Sequence, residues 1–235
     1  MSRQALTIMQ RPQPIEPQRQ PQVADLELRF RILSAEYSHL TSMLAATWSI
    51  SAARTNLFFV AVSAGGLALG IGGSSSRLSR PFLVLALGVL MLILAMGMVA
   101  LSRMLGANRI AIRLIQSLNR IRHFFVELDP HISSYLTQST HDDERGIFGQ
   151  VARGTSFGAM TEMPAASMAS LIALVDAFVT AAIVGVGGLL ASGGDLTNAL
   201  VAAGVTLALG IVLFEGWVYS DLQRARRGLN PEFPS

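Results

Sequence analysis

Residues 82–100 form an uninterrupted stretch with no charge, no Asn or Gln and no proline. At about 1.5 Å per residue, with one further turn, such a helix crosses the roughly 30 Å hydrocarbon core of a bilayer. The pattern then changes without a helix breaker. Apolar residues fall at Ile110, Leu114, Leu118, Ile121, Phe125 and Leu128, ahead of Pro130. Steps of three and four predict a helix with one apolar face. A membrane span is therefore expected to run on into a basic amphipathic helix outside the bilayer.

The same reading divides the rest of the chain. Residues 1–22 carry four prolines and six glutamines, which predicts a disordered tail. They lack the basic start and apolar run of a signal peptide, so this end is expected in the cytosol. Leu26, Phe30, Leu33, Tyr37, Leu40 and Leu44 alternate steps of four and three. This predicts a cytosolic amphipathic helix over 23–53, packed on the 110–128 face or lying on lipid. Ala53-Arg54-Thr55-Asn56 leads into a first span over about 56–72, where Gly66 and Gly70 form a small-xxx-small face. A Gly/Ser loop and Pro81 then turn the chain into the second span, so residues 54–102 are expected as one transmembrane hairpin. Residues 103–165 are expected as a cytosolic helix and an irregular loop with one short helix. A second hairpin over 166–220 has its turn at Ser192-Gly193-Gly194-Asp195, and 221–235 forms a cytosolic tail. The expected fold is all-α and integral to a membrane, with four transmembrane helices in two hairpins plus cytosolic amphipathic helices.

Composition agrees with that class. Hydrophobic residues make up 51% and charged residues 14%, and mean hydropathy is +0.47. A soluble protein with such runs would lack the polar residues to cover its surface. Cysteine is absent, which excludes disulfides, thiolate metal sites and cysteine nucleophiles. All 18 basic residues are Arg, and only Arg77 and Arg80 fall in a short inter-span loop. The positive-inside rule then places the N-terminal, central and C-terminal segments in the cytoplasm. The pI near 10.1 comes with a net charge of only +3, and no nucleic-acid partner is expected.

Two acids, Asp176 and Glu215, lie within expected spans, and Thr180 stands one turn from Asp176. Intramembrane carboxylates are unfavourable and mark ion or proton pathways or partnered structural sites. Here the structural alternative has Asp176 hydrogen-bonded between helices, and Glu215 reaching the interface or pairing with Arg54. The run His141-Asp142-Asp143-Glu144 could bind a divalent cation through oxygens, but adjacent residues cannot all converge. An exposed acidic loop is the preferred reading, and no metal is expected. Arg109, Arg113 and Arg120 share a helix face and, with Arg122, are candidates for contact with lipid headgroups or an anionic ligand; plain positive-inside charge explains them equally. No Walker, GxGxxG, HExxH or GxSxG pattern is present, so neither an enzyme nor a cofactor is expected.

The segments Ala52-Ala53-Arg54-Thr55-Asn56, Asn119-Arg120-Ile121-Arg122-His123-Phe124-Phe125 and His141-Asp142-Asp143-Glu144 look like a group of uncharacterised bacterial multi-pass membrane proteins. The layout of residues 23–130 also resembles the SLATT two-span effectors. That resemblance implies a membrane-disrupting assembly in nucleotide-triggered bacterial defence. The expected function is a non-enzymatic, self-associating bacterial inner-membrane protein, of pore-forming or stress-effector type. Its expected partners are the lipid bilayer, further copies of itself and a small-molecule or protein trigger. The alternative is a small ion or proton-coupled channel or transporter using Asp176 and Glu215.

Overall fold

The computed structural model describes residues 19–76, 79–153 and 167–235, and these form an all-helical protein. The elements are α1 (Arg19–Ser76), α2 (Arg80–Leu128), a short 3₁₀ helix (Pro130–Tyr135), α3 (Glu144–Arg153), α4 (Met168–Ala191) and α5 (Leu196–Arg227). Four of them, α1, α2, α4 and α5, are long and apolar enough to cross a membrane. Contacts divide the chain into two compact units, Met1–Ser38 and His39–Ser235. In the first, the described residues carry two exposed ion pairs one turn apart, Arg29–Asp25 (2.9 Å) and Arg31–Glu27 (2.6 Å).

Sequence and structure differ at three boundaries. The expected boundary between the cytosolic helix and the first span at 53–54 lies inside one continuous helix, α1. Nothing there stops a helix: Arg54 is exposed, and the segment holds neither glycine nor proline. Of the expected disordered tail, residues 1–18 lie outside the described residues, while 19–22 belong to α1. Past Pro130 the chain is more regular than a loop, with the 3₁₀ helix and α3; residues 154–166 of the expected loop lie outside the described residues.

The ends of the helices follow local chemistry. Pro81 occupies the first turn of α2, where its missing N–H is no loss. Asp129 ends α2 and caps the 3₁₀ helix by accepting from the His131 N–H at 3.0 Å. Ser167 caps α4, and Asp195 caps α5 through the Thr197 and Asn198 N–H groups. The turn between α4 and α5 uses Gly193 and Gly194 at φ 68° and 108°, the left-handed region that favours glycine.

α4 is the innermost helix. In its most apolar stretch 44% of residues are buried, against 6% for α1. Ala169, Ala173, Ala177 and Ala181 recur every fourth residue and all are buried, making a smooth ridge. α5 packs closely along α4; a Cβ on Gly210 would lie 3.2 Å from the Ala177 Cβ. Small residues at such contacts let helix backbones approach without side chains between them. The next stripe of α4, Ile172, Asp176 and Val179, is buried as well, and α4 also packs extensively on α2. Phe58 of α1 completes the core with Ile93, Leu101, Met104 and Leu105 of α2.

Candidate functional site

Two arrangements hold chemistry: a sealed carboxyl among the apolar helices, and a polar layer built on the later part of α2.

Asp176 is fully buried on α4, and neither carboxylate oxygen has a hydrogen-bond partner among the described residues. Its space comes from Gly97 of α2, where a Cβ would overlap the carboxylate. The Thr180 hydroxyl, expected on the same polar stripe, donates to the backbone carbonyl of Asp176 at 2.7 Å, not to the carboxylate. Glu215 is half-buried on α5. Among the described residues no hydrogen bond or ion pair joins it to Asp176 or to Arg54. Of the expected ion-pathway residues, only Asp176 is sealed inside.

The polar layer overturns the reading of His141-Asp142-Asp143-Glu144 as an exposed acidic loop, because Asp142 is completely buried. Its carboxylate accepts the backbone N–H groups of Glu232 (3.0 Å) and Phe233 (2.8 Å) and the Nε–H of Arg120 (2.7 Å). The Asp142 N–H in turn donates to the Phe233 carbonyl at 3.3 Å. Asp143 accepts from the Ser235 N–H (2.9 Å) and hydroxyl (2.6 Å), and from the Gly146 N–H in the first turn of α3. Arg120 also reaches the Asn230 carbonyl (2.7 Å) and the Glu232 carboxylate (3.0 Å). The Phe233 ring stacks on His123 with centroids 4.1 Å apart. The segment after α5 is thus clasped against α2 and the loop before α3.

Burial alone would raise the Asp142 carboxyl. The two backbone N–H donors and the Arg120 guanidinium outweigh it and hold the group below the usual carboxylate range. At Asp143 burial is likewise outweighed, by the Ser235 donors, the Gly146 N–H and the neighbouring His141, and the net shift is also downward.

The four arginines singled out in the sequence have different fates. Arg109 forms a two-pronged pair with Asp221 of α5. Arg120 is held in the clasp. Arg122 is buried, donating to the Asn119 side-chain oxygen at 2.6 Å and to the Gln138 side chain. Arg113 is exposed and lines a cleft of about 180 Å³ with Arg109 and Arg224. On α5, Arg226 pairs with Glu144 of α3 at 3.0 Å and lies 4.8 Å over the Phe148 ring. Among the described residues no group of three or more His, Asp or Glu side chains is placed to hold a metal.

The sequence reading missed Asp221, Gly97 and the residues after Gly228. The visible signals were a glycine within a run of large apolar residues, and Pro231 and Pro234 flanking a Glu-Phe pair. No protein-family model matches the chain, and no curated protein or solved structure is significantly similar to it. The class defined by the helices is an all-helical protein with four segments capable of crossing a membrane.

Proposed function

We propose that the chain is a multi-pass protein of a bacterial inner membrane, with its four apolar helices spanning the bilayer in two hairpins. Its N- and C-terminal segments face the cytoplasm, and it acts by associating with copies of itself and not as an enzyme. The observation that carries this reading is the outer face of α1. Leu57, Val60, Leu67 and Ile71 are exposed there, and a Cβ on Gly66 or Gly70 would meet nothing. Lipid can cover the large apolar side chains. A ridge of small residues between them, though, fits a second helix better than flexible acyl chains, since close backbone approach is how helices associate in lipid. The SLATT-like layout of residues 23–130 adds the form such an assembly takes, a membrane-disrupting pore opened by a small-molecule or protein trigger. Mass determination of the detergent-purified protein tests this. A defined oligomer is expected, and replacing Gly66 and Gly70 together with Leu should reduce it to monomer. A wild-type monomer would refute self-association.

Asp176 supports a second reading, a proton- or ion-coupled carrier, because a fully buried carboxyl with both oxygens unpartnered is a group kept at a stability cost. In that case Asp176→Asn abolishes flux in protein that still folds. In the first reading the same variant leaves assembly and conductance intact.

A further inference from the structure

We propose that Arg54 and Arg103 hold the phosphate of an anionic phospholipid, with one of its acyl chains lying in the apolar groove beside them. The proposal rests on the reading that α1 and α2 cross a bilayer. Arg54, Leu57 and Phe58 lie on one face of α1; Met96, Val99, Ala100 and Arg103 lie on one face of α2. With Ala95 they enclose a groove of about 440 Å³. Ala95 and Ala100 leave the space, and Phe58, almost fully buried, closes one side. Leu57 and Val99 are 67% and 53% exposed, so the groove opens sideways to the surroundings of the helices. From Ala95 to Arg103 its α2 wall is about 12 Å long at 1.5 Å per residue.

Charge chooses the occupant. Among the described residues, these two arginines are the only charged ones lining the groove. Neither has an ion pair or hydrogen bond among the described residues, whereas Arg109, Arg120 and Arg226 are each matched to an acid. Arg103 follows the uncharged stretch 82–100, and Arg54 precedes the apolar part of α1. In an antiparallel pair both therefore mark the same side of the bilayer, at the level of the headgroups. Guanidinium forks bind phosphate oxygens in pairs. A zwitterionic headgroup brings a cation of its own to the arginines, so an anionic lipid is favoured. A second copy of the chain would have to present an acid at this level; Asp221, Asp142 and Glu144 already have partners, and Glu215 is half-buried on α5.

The test uses the full chain. Carbonate washing of membranes comes first: a chain that washes off overturns the bilayer reading and this proposal with it. Detergent-purified protein is then titrated separately with phosphatidylglycerol, phosphatidylcholine and inorganic phosphate, and retained ligand is read by native mass spectrometry. Phosphatidylglycerol should be held at least about tenfold more tightly than phosphatidylcholine, the order of discrimination two basic residues supply at a membrane surface. Inorganic phosphate should not compete. The pair Arg54→Gln and Arg103→Gln should remove the preference, while Arg145→Gln, at an exposed arginine outside the groove, should keep it. Val99→Trp fills the groove with both arginines intact and should also weaken retention. In a chain that stays in the membrane, any of five results overturns the proposal alone: equal retention of the two lipids, preference surviving the double variant, retention undiminished in Val99→Trp, phosphate binding as tightly as lipid, or a dimer that excludes lipid from the groove.

Discussion

Replacing Gly97 with alanine adds a single methyl group, and its consequences can be worked out from the contact with Asp176. The new Cβ would occupy the position of the Asp176 carboxylate. That carboxylate is fully buried, so it has no open side into which to swing. Either α2 and α4 separate or Asp176 leaves its rotamer, and forced overpacking of this kind costs about 1–3 kcal/mol. Against it stands the roughly 0.5–1 kcal/mol that alanine gains over glycine inside a helix. The net expectation is a loss of about 1–2 kcal/mol. Gly106→Ala on the same helix meets nothing within 4 Å and should show only the gain. The diagnostic is a double-mutant cycle. With Asp176→Ala already in place the carboxylate is gone, so Gly97→Ala should become neutral or favourable, a coupling of about 1–3 kcal/mol between residues in contact. Unfolding in mixed micelles, followed by fluorescence of Trp48 and Trp217, measures each corner. If Gly97→Ala behaves like Gly106→Ala, or the two changes add within about 0.5 kcal/mol, the packing argument fails.

Two further expectations concern the clasp. Asp142→Asn keeps the shape but removes the charge facing Arg120 and turns one acceptor toward the Glu232 and Phe233 N–H groups into a donor. A loss of about 1–3 kcal/mol is expected, read as faster amide exchange at these two residues with α4 unchanged; unchanged protection would show that the carboxylate does not hold the segment. Acid should act in the same place. Because Asp142 and Asp143 titrate below their ordinary values, the stability they supply is complete above about pH 4 and fades as pH falls through the lowered folded values. Exchange at 232–233, corrected for its intrinsic pH dependence, should therefore stay flat down to about pH 5 and rise only below about pH 4. A rise between about pH 5 and 7 would show that these two carboxylates do not control the clasp.

The four apolar helices were legible because an uncharged run of this length has few alternatives, and their bounds at Pro81, Ser167, Asp195 and Pro130 follow from capping rules that act within a few residues. The boundary expected at Arg54 leaves no mark on the helix for a related reason. A charge marks where a helix meets a polar environment, and it does not stop the helix. What stayed hidden depends on distance along the chain. Asp142 is read locally as part of an acidic run, but its donors stand 90 and 91 positions away, and the partner of Arg109 is 112 positions away. The identity of Asp176 was visible, whereas the notch that receives it depends on how α2 turns against α4. No periodicity in either helix specifies that rotation.

The clasp also sets an order of events during synthesis. Helices α2, α3 and α4 are complete before residues 230–235 exist, so Asp142 waits through the synthesis of 90 further residues before its first backbone donor. Until then it is a carboxylate matched only by Arg120, and the loop before α3 has no lid. A chain cut short before Glu232 keeps every apolar helix yet leaves that site open. Changes at Ser235 would bear on the same contact, since the Ser235 N–H and hydroxyl hold Asp143.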